Sequence, residues 1–158
     1  MNNIVTAKVE DSAEILSLQK LAYVSQAELA GDYSIQPLTQ TLAELEKEFE
    51  NNLILIYMHD GNIIGSVRGY ERDGTCHISK LMVHPEFQNR GIGKELMRKI
   101  ESMFIDVRFE LFTGSQSTKN ISFYEKLGYR GYKKGKLDRE ETVFIFMEKS
   151  ALHHKSKI

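Results

Sequence analysis

Hydrophobic and polar positions follow two different periods along this chain, and the switches between them mark its elements. Over Asn3 to Val9 the apolar residues Ile4, Val5, Ala7 and Val9 give a strand-like pattern that Glu10-Asp11 interrupts. The period then lengthens. Asp11 with Glu14 makes a capping-box-like start, and Ile15, Leu18, Leu21 and Ala22 recur at helical spacing, predicting a first helix that ends near Ala30-Gly31. The turn-rich stretch Gly31 to Pro37 separates it from a second helix. That helix starts at Thr39 or Thr41, buries Leu42, Leu45 and Phe49, and carries Glu44, Glu46, Glu48 and Glu50 on its remaining surface.

The middle of the chain returns to strand patterning. Leu53 to Met58 and Ile63 to Tyr70 are separated by His59-Asp60-Gly61-Asn62, whose Asp-Gly signals a hairpin, and Asp73-Gly74 turns the chain into a third run, Thr75 to Val83. Pro85 stops that strand, Gly91 and Gly93 punctuate a loop, and Ile92, Leu96, Ile100, Met103 and Phe104 form a helical stripe. Val107 to Thr113 reads as another strand and Thr118 to Leu127 as a short helix ended by Gly128. Tyr129 to Leu137 and Thr142 to Glu148 read as a closing pair. The pattern predicts an α/β (α+β) fold: a mixed, mainly antiparallel sheet of about six or seven strands, flanked on both faces by about four helices. No repeat or linker interrupts it, so residues 1–150 read as one domain with a frayed tail over 151–158.

Composition narrows the classes. The 158 residues are 41% hydrophobic and 27% charged, ordinary for one folded domain and unlike a disordered chain. Lys plus Arg number 21 against 22 Asp plus Glu, a formal net charge of −1, so no bulk positive charge points to nucleic acid or a membrane surface. The longest apolar runs, Leu53 to Ile56 and Val143 to Met147, fall far short of the ~18 residues of a spanning helix. The start Met1-Asn2-Asn3-Ile4 has neither a basic leader nor an apolar run, and the single cysteine, Cys76, excludes an internal disulfide. Both features predict a cytoplasmic protein.

The most informative stretch is Gln88-Asn89-Arg90-Gly91-Ile92-Gly93, between an apolar strand and an amphipathic helix. Successive backbone N–H groups at a helix start make an anion site, and glycine lets a pyrophosphate approach without a Cβ in the way, with Arg90 and Lys94 adding charge. No Gly-Lys-Ser/Thr is present and the third glycine of the dinucleotide fingerprint is missing, so those two ligand classes drop. Alone, a Gly-x-Gly at a helix start is more often just a tight turn. Its context adds more: Leu81-Met82-Val83-His84-Pro85-x-x-Gln88-x-x-Gly91-x-Gly93 is followed, past a helix and a strand, by Asn120-Ile-Ser-Phe123-Tyr124-Glu-Lys-Leu127-Gly128-Tyr129. Both halves resemble the GNAT superfamily of N-acetyltransferases. The first matches its Gln/Arg-x-x-Gly-x-Gly/Ala acyl-CoA motif and the second its Asn with Phe-Tyr and Gly-Phe/Tyr.

The resemblance implies an enzyme that transfers acetyl from acetyl-CoA to a primary amine, of a small molecule or a peptide, by direct attack in a ternary complex. Gln88, Asn89, Arg90, Gly91, Ile92, Gly93 and Lys94 would cradle the coenzyme A pyrophosphate. The backbone around Leu81, Met82 and Val83 would pair with the pantetheine arm like an added strand. In this family that strand is bulged and splays from its neighbour, so that a backbone N–H near Leu81 faces the thioester oxygen. Asn120 would hydrogen-bond the coenzyme arm, and Tyr124, four residues on and on the same helical face, would protonate the departing sulfur. The alternative role for Tyr124 is packing beside Phe123 and Leu127.

The base is where the chain departs from the family pattern. Histone-type members carry a glutamate eleven residues before the motif glutamine, and His77 stands there. Histidine as a residue type can take a proton near neutrality. The other readings are that water removes the proton while His77 is an ordinary strand residue, or that Glu71 serves. Cys76 and His77 project to opposite strand faces and make no dyad. His153-His154 has no nearby second ligand pair, so no metal is expected. The basic run Arg130, Lys133, Lys134, Lys136 and Arg139 reads as a solvated face. Against the enzyme stand two other classes: a non-catalytic acyl-CoA-binding or regulatory domain, and an interaction domain whose Gly-x-Gly is only a turn. Monomer and homodimer both remain open. For the acceptor, Gln26 to Glu50 holds Glu28, Asp32, Glu44, Glu46, Glu48 and Glu50 against Lys47 alone. Much of that charge belongs to a solvated helix face, but Glu28 and Asp32 flank the turn where an acceptor would enter, which predicts a preference for cationic amines.

Overall fold

The computed structural model describes residues 3–137 and 141–150. The expected tail with His153-His154, and Arg139 of the basic run, lie outside the described residues. The elements in chain order are β1 (Ile4–Thr6), α1 (Ser12–Ala30), α2 (Gln36–Thr39), α3 (Leu42–Glu48), β2 (Leu53–His59), β3 (Asn62–Arg72), β4 (Thr75–Val83), α4 (Ile92–Ser102), β5 (Arg108–Gly114), α5 (Thr118–Lys126), β6 (Arg130–Lys136) and β7 (Val143–Lys149). The strands form one sheet in the order β1-β2-β3-β4-β5-β7-β6, antiparallel throughout except for the parallel pair β4 and β5. Among the described residues, no helix is long and apolar enough to cross a membrane.

Each sheet face buries its own core. On one side Leu96, Met97 and Ile100 of α4 pack against Cys76, Ile78 and Phe109. The backbones approach closely there, since a Cβ on Gly65 of β3 would lie 3.0 Å from Leu96 Cδ1. On the other side Ile15 and Leu18 of α1 and Leu45 of α3 cover Ile54, Ile56 and Met82. Both predicted hairpins form. Asp60 and Gly61, and likewise Asp73 and Gly74, all take positive φ, the geometry that lets a two-residue turn match the twist of its strands.

Three local differences from the sequence pattern have physical causes. The first strand is only Ile4–Thr6, because Val9–Asp11 coils into a 3-10 turn closed by the Lys8 N–H donating to the Asp11 carboxylate at 2.8 Å. The expected second helix is two. Pro37 sits in the first turn of α2, where a missing N–H is harmless, and Thr41 caps α3 with Glu44. Between them Gln40 is extended because its side chain turns inward. It accepts from Gln19 Nε2 at 3.0 Å and joins the wholly buried guanidinium of Arg68, which also donates to Glu48 at 3.0 Å and to Gln19 Oε1. Gln19 Nε2 donates as well to the Pro37 carbonyl at 2.9 Å, so this cluster clips α1, α2 and α3 to the middle of the sheet.

The third difference is in β4. Arg68 pairs with Ser79, but Ser66 pairs with Met82, so β4 holds one extra residue, and Lys80 takes φ 55°. This bulge reverses the alternation of side chains. Cys76 and Ile78 face α4 before it; beyond it Leu81 and Val83 do, while Met82 turns to the α1 and α3 side.

Candidate active site

Pairing of β4 with β5 covers only Thr75 to His77 against Arg108 to Glu110. Beyond that register the two strands part, β5 continuing along β7 up to Gly114 and β4 running out to Val83. The split opens a cleft of about 650 Å³. Leu81, Met82 and Val83 line one wall, and the loop residues Gln88, Asn89 and Gly91 with Ile92, Gly93 and Lys94 line its floor. Gly91 is the N-cap of α4 at φ 83°, and a Cβ there would meet nothing within 4 Å. The left-handed backbone and the open space together leave the helix N-terminus accessible to an anion. The charged side chains of this lining are Lys94 and Lys119, both cations. Arg90 is placed differently from the other loop residues: its guanidinium lies over the Phe87 ring at 5.0 Å and it does not line the cleft.

At its inner end the cleft meets a second cavity of about 190 Å³ between the splayed strands. Tyr23, Gln26, Leu81, Asn120 and Tyr124 line both spaces and so mark their junction. Asn120, one turn before Tyr124 on α5, donates from Nδ2 to Thr113 Oγ1 at 3.3 Å, which anchors the helix to β5. Burial pushes the Tyr124 phenol well above its ordinary value, with Tyr23 adding to the shift. The hydroxyl therefore keeps its proton. Tyr23, on α1, carries no motif and stands outside the stripe of Ile15, Leu18, Leu21 and Ala22. Its hydroxyl donates to the Leu81 carbonyl at 3.3 Å, and burial pushes it up to about 12 although the nearby Arg68 charge pulls it down. Lys119 also lines the cleft and, although it adjoins Asn120, carries no motif of its own.

His77 is not brought to this junction. It sits in the still-paired part of β4, stacks on Tyr70 with ring centroids 5.0 Å apart, and lines neither space. The bulge puts it on the opposite face from Leu81. Glu71 is exposed near the end of β3, opposite Cys76. Of the two acidic residues expected at the acceptor's entry, Glu28 is exposed on α1, but Asp32 is buried and turned inward. Its carboxylate accepts from the Ser34 hydroxyl and amide, the Glu141 amide, and the Thr142 amide and hydroxyl, tying the end of α1 to the start of β7. Among the described residues, no group of three or more His, Cys, Asp or Glu could hold a metal ion.

The fold has counterparts among solved structures. PaiA N-acetyltransferase from Thermoplasma acidophilum, in complex with coenzyme A, superimposes with a TM-score of 0.78 at 20% identity, covering 95% of this chain and 99% of that one. The ribosomal-protein-S18-alanine N-acetyltransferase of Escherichia coli gives 0.76 at 15% identity, covering 100% and 99%. At these identities the likeness is one of fold. By sequence, the UPF0157 protein YqkA of Bacillus subtilis is 26% identical over 118 residues, 74% of this chain and 34% of its own length. The catalytic subunit of the N-terminal acetyltransferase B complex of Arabidopsis thaliana is 33% identical over 78 residues, 47% of this chain and 45% of its own. The chain thus spans less than half the length of these curated relatives. Residues 17–129 match the model of the acetyltransferase (GNAT) family, most of the described chain from α1 through α5. The chain belongs to the GNAT family, whose members are acetyltransferases with acetyl-CoA as cosubstrate.

Proposed function

We propose that this domain transfers acetyl from acetyl-CoA to a primary amine by direct attack within a ternary complex. One observation carries the reading: two spaces meet at Tyr124, beside a bulged strand whose edge beyond His77 has no partner strand. Gln88, Asn89, Gly91, Ile92, Gly93 and Lys94 hold the pyrophosphate with backbone N–H groups and the dipole of α4, and Arg90 adds charge from above Phe87. Leu81, Met82 and Val83 offer main-chain groups to the pantetheine arm, and Asn120 fixes its inner end. A main-chain N–H near Leu81, beside the bulge, polarises the thioester oxygen. Tyr124 gives its proton to the sulfur as it leaves.

Among the described residues, neither lining contains a cysteine or a histidine, which favours direct attack over a covalent acyl-enzyme. The amine's proton then leaves through water at the cavity mouth rather than to His77. Acceptors are small-molecule or peptide amines, and a cytoplasmic setting fits the single, buried, free Cys76. Calorimetry with acetyl-CoA, followed by thiol release across a panel of amines, tests the reading. Binding with amine-dependent thiol release is the expected result. Binding without release from any amine would leave a regulatory acyl-CoA-binding domain, and absence of binding would overturn both.

A further inference from the structure

The cavity beyond Tyr124 has a chemical character of its own. Its volume is about 190 Å³. An apolar cavity of about 150 Å³ in a protein core holds a benzene molecule, so this space suits one ring or one branched aliphatic group. Its apolar wall is Ile35, Ile78, Leu111, Phe112 and Phe144, with Pro37 at one side and the uncharged polar residues Gln36, Ser79 and Thr113 beside it. Phe112 is 37% exposed, although its ring meets Phe144 edge-on at 5.1 Å and Phe146 at 5.5 Å. Phe112 thus adds an aromatic surface to the cavity lining. The fold holds this wall firmly, because the buried Arg68 cluster fixes Pro37 through Gln19.

Charge points the same way. Among the described residues, the cavity lining contains no carboxylate, and its charged side chain is Lys80. The sequence places acidic residues in this region, but Asp32 spends its oxygens on Ser34, Glu141 and Thr142, and Glu48 faces Arg68. A second ammonium group entering here would lose water without gaining an anion from the described lining. An apolar body gives up no charge hydration on entry and covers Phe112.

We infer that the acceptor is a primary amine carried on a single compact apolar body, an aromatic ring or a branched aliphatic group, with no second positive charge. The inference rests on the acetyl-transfer reading and names the acceptor class for that site. The shared chemistry has two sources, a free small amine and the N-terminal residue of a peptide, and the test separates them.

With acetyl-CoA saturating, kcat/KM is measured by thiol release for 2-phenylethylamine, isopentylamine, a phenylalanyl peptide and spermidine, for the native protein and for Phe112→Asp. The native protein is expected to favour the first two over spermidine by at least ~10-fold, the size of one modest apolar contact in a specificity ratio. A phenylalanyl peptide equal to or better than 2-phenylethylamine assigns the site to peptide N-termini. The Phe112→Asp variant is expected to lose most of that preference while binding acetyl-CoA as before, because Phe112 lines the inner cavity and not the coenzyme cleft. Spermidine preferred by the native protein would overturn the inference and leave acetyl transfer standing. Equal ratios in native and variant protein would also overturn it. Coenzyme binding with no thiol release from any of the four amines would overturn the transfer reading itself, and the inference with it.

Discussion

The Tyr23 hydroxyl donates to the Leu81 carbonyl across 3.3 Å, joining α1 to the donor strand at the point where its bulge ends. The two residues are 58 positions apart in the chain. The bond fixes one side of the peptide whose neighbours would meet the thioester, so it bears on orientation more than on coenzyme affinity. Tyr23→Phe is expected to lower kcat by ~3–10-fold, the worth of one neutral hydrogen bond, with acetyl-CoA affinity nearly unchanged by calorimetry. Unaltered kcat would reduce Tyr23 to packing.

Tyr124→Phe keeps the ring and removes the proton. Turnover should fall by roughly 10²-fold while coenzyme binding persists. The pH profile carries the sign of the argument. A phenol acts as an acid only while protonated, and burial moves ionisation of Tyr124 upward, so the alkaline loss of activity moves upward too. The kcat profile of the native protein should therefore stay level on its alkaline side to about pH 10, the ordinary phenol value. A fall beginning near pH 8 that is absent in Tyr124→Phe would show an easily ionised tyrosine and contradict the burial argument.

Gly91 separates backbone strain from charge. The position is left-handed at φ 83° with open space beyond its Cα, so Gly91→Ala should cost about 1–2 kcal/mol of stability yet still bind acetyl-CoA. Gly91→Glu suffers the same strain and also places a carboxylate at the N-terminus of α4, where the pyrophosphate belongs. Its coenzyme binding should disappear. Equal affinities for the two variants would move the phosphate site elsewhere.

What the sequence made legible shares one property: the signal and the structure it specifies lie within a few residues of each other. Asp60-Gly61 and Asp73-Gly74 make their turns locally, and Gln88 to Lys94 start their own helix. Asn120 and Tyr124 share a helix face. What stayed hidden depends on distant partners. Lys80 carries no glycine-like mark of a left-handed residue, and its bulge becomes visible only when β3 supplies the register. Gln40 breaks the expected second helix because Gln19 and Arg68 draw its side chain inward. Tyr23 reaches the site only because α1 lies across β4.

His77 illustrates how one hidden feature alters a chemical assignment. Counted along the strand it occupies the position of a base, yet the bulge puts it on the face away from Leu81, stacked on Tyr70. In the proposed mechanism water receives the amine's proton, so the acidic limb of the rate profile is expected to survive His77→Gln with its midpoint in place. Displacement of that limb in a folded variant would restore His77 as the base.

Asp32 looked like part of an acidic rim and is instead a clasp. Its two oxygens accept five hydrogen bonds, from Ser34, Glu141 and Thr142, and these bonds, led by the Ser34 hydroxyl, hold its carboxyl far below the usual carboxylate range. A carboxylate whose folded-state pKa is depressed stabilises the protein above the unfolded-state value of about 3.9, and that contribution is lost as pH falls below it. Asp32→Asn should therefore lower Tm at pH 7, and the gap between native and variant Tm should begin to narrow only below about pH 4, closing once the folded-state carboxyl is protonated as well. A gap that stays constant with pH would mean that shape, not charge, holds the clasp. The same variant checks the rim idea from the other side. Because the Asp32 carboxylate is buried and turned toward its five donors, away from an incoming amine, the salt dependence of acceptor kcat/KM should be the same in native and variant protein. A weaker salt dependence in Asp32→Asn would show that its charge does reach an incoming amine.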